Sequence, residues 1–250
     1  MGLCFLLFVC IFGIWQAMHY FSQFLPRLLI GHIHLAYLIA QAACIGAFVL
    51  FVRLTGTRFK EYGFEWPESY RRQICLGVFL VIVYYTATLF LPSFFTKTRE
   101  TSAPISLDIV PLQFLSALLT AIASETVFRG YVLRELTKAY SFLPVLCLSS
   151  LLYGLHMLQL PLISSFGIIH IYTEIMSAFI AGLFLGYLFR KTKNLLGPVA
   201  FQTGFLLFHS IIFFELDTTE YAMLTLEAIA YGFILLLTDA LAEESYESKF

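Results

Sequence analysis

The sequence predicts an all-α, polytopic membrane bundle of about eight transmembrane helices. Of 250 residues, 60% are hydrophobic and only 12% are charged, with a mean hydropathy of +0.84. Soluble domains carry about 25% charged residues. Apolar runs near the roughly 20 residues needed to cross hydrocarbon recur along the chain. Basic residues sort into alternate loops. A net charge of −1 gives no nucleic-acid signal, so the lipid bilayer is the first partner expected.

The spans are read at 2–22, 29–52, 74–95, 110–133, 142–160, 165–189, 195–215 and 221–240. The first lacks a basic leader and a small-residue cleavage site, so it reads as a retained span and not a signal peptide. The fifth is short, and Pro161 and Gly167 interrupt the start of the sixth. Arg53, Arg58, Lys60, Arg71 and Arg72 follow span two. Arg134 and Lys138 follow span four, and Arg190, Lys191 and Lys193 follow span six. The opposite loops hold Arg27, Lys97 and Arg99. This asymmetry places both termini in the cytoplasm, which an even number of spans allows. Residues 1–250 are expected to form a single multi-pass domain in the cell membrane. Segment 55–73, with Tyr62, Phe64, Trp66 and Tyr70 among Lys and Arg, suits the cytoplasmic headgroup layer or a solvated linker. The tail LAEESYESKF reads as a short disordered end. The five cysteines are scattered in apolar runs and read as packing residues.

Polar residues inside these spans are the candidates for chemistry. Span four carries Glu125 and Arg129, four apart and so on one helical face. Ionisable groups at membrane depth are costly and mark functional sites by default. Span five carries His156, span six His170 and Glu174, span seven Gln202 and His209, and span eight Glu227. At about 1.5 Å of rise per residue, the depths of Glu125, His156, Gln202 and His209 overlap. One cluster from three helices is therefore possible. A carboxylate in a low-dielectric pocket becomes a competent general base near neutral pH. A histidine beside it can hold a water or stabilise an oxyanion, and the two together can hydrolyse a peptide bond with an activated water.

Plainer roles compete with this. Glu125 with Arg129 also suits an ion pair that fixes helix packing, and His156 a hydrogen-bonded core residue. A chain of Glu125, His170, Glu174 and Glu227 would suit a small proton-coupled transporter, although no repeat symmetry supports one. No cofactor is required. A divalent metal on Glu125, His156 and His209 would need three helices to converge. H-E-x-x-H, C-x-x-C, G-x-S-x-G and S-x-x-K patterns are absent.

The stretch SETVFRGYVLREL resembles the EExxxR-type signature of the CPBP intramembrane proteases. That family includes CAAX prenyl endopeptidases and bacteriocin-processing or immunity proteins. LSSLLYGLHML is similar to its second motif, F-x-x-x-H. FIAGLFLGYLFRKTKNLLGPVAFQ is similar to the helix, basic turn and helix leading to the third motif. FKEYGFEWPESYRRQI resembles the polar segment before the third span. The similarity covers 58–73 and 112–208, with the catalytic core expected over 110–215.

The resemblance implies an endopeptidase site sunk into the bilayer from the cytoplasmic side, acting on a membrane-associated or lipidated peptide or protein. Glu125 would be the general base, or would orient the water with Ser124. Arg129 would hold the glutamate, and His156 would bind the water or stabilise the oxyanion. Some positions depart from the pattern. The first glutamate falls on Ser124, the phenylalanine on Leu152, the third-motif histidine on Gln202 and its asparagine partner on Leu206. Gln202 retains an amide donor. His209, almost two turns further along, would substitute only if span seven bends near Gly197, Pro198 or Gly204. The alternative is a catalytically degenerate homologue acting as a peptide-binding, immunity or scaffold protein.

Overall fold

Backbone groups in hydrocarbon must be satisfied within the chain, which favours helices, and a helical bundle is what forms. The computed structural model describes residues 2–22, 30–63, 69–93, 98–100, 110–157, 168–211, 214–216 and 220–247. The helices are α1 (Gly2–Ser22), α2 (Ile30–Thr55), α3 (Tyr70–Ser93), α4 (Val110–Glu125), a short α5 (Arg134–Thr137), α6 (Phe142–Met157), α7 (Ile168–Thr192), α8 (Leu196–Ile211) and α9 (Glu220–Glu247). Between α4 and α5 the chain runs as a π-helix, Thr126–Leu133. A short antiparallel ribbon pairs β1 (Thr98–Glu100) with β2 (Phe214–Leu216), with Thr98 opposite Leu216.

Four stretches are long and apolar enough to cross a membrane by length and composition: Leu38–Thr55, Val110–Thr137, Ile168–Thr192 and Ala222–Leu241. Phe5–Ala17 and Phe142–Met157 are shorter apolar helices. Large apolar side chains such as Phe5, Leu54, Leu143 and Leu236 face outward, as lipid contact requires. The order of helices follows the expected spans, with three differences. Span four is not one α-helix but changes to π geometry at Thr126. The chain after Leu241 stays helical to Glu247 and is not a disordered end over that stretch. Helix α8 has 16 described residues, short for a full crossing, whereas α6, also of 16, is the short fifth span that was expected.

Small residues set how the helices meet. In α3, a Cβ on Gly77 would lie 2.5 Å from the Gly197 carbonyl, and one on Gly204 of α8 would lie 2.8 Å from Val81. The pairs 77 with 197 and 81 with 204 make α3 and α8 parallel neighbours. A Cβ on Gly182 of α7 would lie 2.8 Å from Ser150 Cβ, and one on Gly154 of α6 would lie 3.0 Å from the Ile175 carbonyl. That register makes α6 and α7 antiparallel. Close backbone approach through small residues is how helices pack without a hydrophobic drive between them.

Two apolar clusters result. One joins α1, α2, the π-segment and α6 around Phe8, Phe48, Phe128 and Tyr131. The other joins α3, α7, α8 and α9 around Leu80, Tyr84, Phe184, Phe201 and Tyr231. The basic turns gather at one end. Arg72 Nη2 donates to the Leu241 carbonyl, and Leu195 N donates to the Gly63 carbonyl. Tyr62, in the segment read as headgroup-layer or solvated linker, is 1% exposed, with its ring 5.4 Å from Tyr131 and 5.8 Å from Phe48. It closes that end of the first cluster, while Phe64 and Trp66 lie outside the described residues.

Candidate functional site

The π-segment places the polar group. A Cβ on Gly130 would sit 2.9 Å from the Tyr62 carbonyl, so this turn backs directly onto the chain below it. π-Turns inside helices are frequent at functional sites. On its inward side, Glu125 and Arg129 pair at 3.0 Å (Oε1 to Nη1), with side chains 0% and 1% exposed. The pair lacks hydrogen-bond geometry, and neither carboxylate oxygen of Glu125 accepts a hydrogen bond among the described residues.

Arg129 is fixed from two other helices. Its Nη2 donates 3.2 Å to the Gly182 carbonyl on α7, and its guanidinium lies 4.4 Å over the Tyr153 ring of α6. The buried charge is thus met by a carboxylate, a carbonyl and a π-face together.

Tyr153 continues the network. Gln202 Nε2 on α8 donates to its hydroxyl at 2.9 Å. Ser124 Oγ donates toward Gln202 Oε1 at 3.0 Å, and toward the Thr120 carbonyl at 2.8 Å. All three side chains are buried. The Gln202 amide is therefore engaged at both ends, and it links α4 to α6 through α8.

His156 is 4% exposed and packs between tilted aromatic rings. Its ring lies 5.4 Å from Trp15 on α1 and 5.4 Å from Phe128 on the π-segment. Tyr153 meets the same Phe128 edge-on at 5.5 Å. His156 and Tyr153, three apart on α6, thus pack on the residue that precedes Arg129 in sequence.

The structure gathers Ser124, Glu125, Arg129 and Gln202, and holds His156 against the same segment. It does not gather His209, which is exposed and stacks on Phe205 at 6.1 Å. Seven residues past Gln202, it lies about 10 Å further along the helix. The three-ligand arrangement of Glu125, His156 and His209 is accordingly not formed. Among the described residues no group of three or more His, Cys, Asp or Glu could hold a metal ion. Of the residues in the transporter chain, Glu174 is exposed and His170 and Glu227 are half-buried. Tyr153 and the Gly182 carbonyl were not singled out as site groups by the sequence. Tyr153 had a signal, lying one place from the expected motif aromatic; a backbone carbonyl has none.

A family model described as type II CAAX prenyl endopeptidase Rce1-like matches residues 106–208. The matched stretch contains every member of this network and ends one residue before His209. A comparison with curated proteins gives no match to the chain.

Proposed function

From the match of residues 106–208 to the Rce1-like family model of type II CAAX prenyl endopeptidases, we propose that this chain is an intramembrane endopeptidase whose general base is Glu125. The observation that carries the reading is the state of that carboxylate. It is fully buried, anchored by an arginine that two further helices hold in place, and neither oxygen accepts a hydrogen bond among the described residues. With a water and a substrate admitted beside it, such a group would take the proton as the water attacks the peptide carbonyl. His156 would hold that water or steady the oxyanion. Arg129 keeps the carboxylate in place, and the link from Ser124 through Gln202 to Tyr153 fixes the helices around it. The substrate class is a membrane-associated or lipidated protein tail entering from the basic end of the bundle, with both termini of the chain in the cytoplasm of a cell membrane. The test is reconstitution of the full chain in vesicles with a prenylated C-terminal peptide. Products consistent with a single internal hydrolysis, lost in Glu125→Gln, support the reading. An intact peptide after prolonged incubation contradicts it.

A second reading rests on Ser124 and Gln202. In the resembling family these positions carry a glutamate and a histidine, and here they bond each other as a neutral pair at 3.0 Å. Such a site would bind a peptide segment without cleaving it. Binding of the same peptide with no product over many hours is the result that favours this reading.

A further inference from the structure

Away from the Glu125 network, a cavity of about 410 Å³ opens at the basic end of the bundle, where α5 leads into α6 and α7 ends. That size lies within the range of small-molecule sites. Arg134, Arg190 and Lys193 line it, and no carboxylate is among its lining residues. The nearest acid in sequence, Glu135, is taken by Lys138 at 2.6 Å. Leu133, Phe142 and Phe189 form its apolar wall.

We propose that this cavity binds the phosphate-bearing headgroup of an anionic membrane lipid. Three cations around one opening repel one another unless an anion joins them. The Arg190 guanidinium lies 4.2 Å over the Phe142 ring. Stacking fixes its plane and leaves its N–H edge for a phosphate. The apolar wall suits the first methylenes of an acyl chain, which a free phosphate lacks. The position also suits a lipid, because basic pockets between membrane helices at the cytoplasmic face take headgroups of this kind.

The turn after α7 supplies an independent argument. Lys193 holds a left-handed backbone conformation, φ 52°, which glycine or asparagine normally occupies at a helix end. Around it the turn is tightly bonded. Thr192 donates to the Asn194 carbonyl at 2.9 Å, and Asn194 accepts from Leu196 N at 2.9 Å, capping α8. The turn therefore carries a strained lysine whose side chain lines the cavity, where glycine would fit the backbone better.

The experiment uses the full chain purified in neutral detergent and mixed with dioleoyl phosphatidylglycerol, dioleoyl phosphatidylcholine or inorganic phosphate. Melting temperature and lipid retained in native mass spectrometry are read. Phosphatidylglycerol is expected to raise Tm and stay bound, and the other two to do neither. Arg190→Gln and Lys193→Gly should each weaken retention about fivefold, the effect of one cation near the surface. Lys193→Gly should also melt at or above wild type without lipid, so its loss of binding is not misfolding. Equal retention of phosphatidylcholine, unchanged retention in both variants, or a Tm rise reproduced by phosphate alone would each overturn the proposal. None of these outcomes depends on proteolysis.

Discussion

Ser124 on α4 donates to the side-chain carbonyl of Gln202 on α8 across 3.0 Å. Two positions 78 residues apart in the chain thus meet in the interior. Both are uncharged, so what they supply is registry between helices. Gln202 passes the tie on to Tyr153, and Tyr153 supports Arg129.

Gln202→Leu should therefore destabilise the bundle by about 1–3 kcal/mol, the usual cost of leaving buried hydrogen-bonding groups without a partner. Thermal unfolding in detergent reads the effect. Ser124→Ala should cost less, because it leaves only the Gln202 Oε1 acceptor without its donor, whereas Gln202→Leu removes a partner from both Ser124 and Tyr153.

The ion pair predicts non-additivity. Arg129→Met strands the buried Glu125 carboxylate and should destabilise by about 3–5 kcal/mol. Glu125→Gln combined with Arg129→Met should recover much of that loss. A double-mutant cycle on melting temperature measures the coupling, and purely additive effects would show that the two side chains do not act as a pair.

Helix contacts through glycine give a third expectation. Gly77→Ala drives a methyl against the Gly197 carbonyl and should destabilise by about 1–3 kcal/mol. Gly46→Ala in α2 meets nothing within 4 Å and should be neutral or stabilising by up to about 1 kcal/mol through helix propensity. The contrast between the two melting temperatures checks the close packing of α3 on α8.

Orientation follows from the charge asymmetry. With the basic end of the bundle in the cytoplasm, a fluorescent protein fused after Phe250 should fold and fluoresce, and alkaline phosphatase at the same point should be inactive. The opposite pattern would invert the topology.

Much of this architecture was legible because hydropathy alone marks where helices run, and because spacing by four places Glu125 beside Arg129. The burial of His156 was also within reach, since it lies in an apolar run, but its packing against Trp15 and Phe128 was not. What stayed hidden depends on how helices rotate and approach. The π-segment forms where Gly130 backs onto the Tyr62 carbonyl, a contact between distant parts of the chain. Tyr62 looked interfacial or solvated by its neighbours, yet turns inward under α2 and the π-segment. His209 shares a side of α8 with Gln202 but is exposed, which linear depth estimates did not resolve.

The most direct measurement is the initial rate of peptide cleavage by wild type, Glu125→Gln, His156→Ala and His209→Ala in matched vesicles, with folding of each verified by its melt. The account predicts that Glu125→Gln and His156→Ala each fall by a factor of about 10²–10⁴, while His209→Ala keeps the wild-type rate. Cleavage by folded Glu125→Gln at the wild-type rate would contradict it.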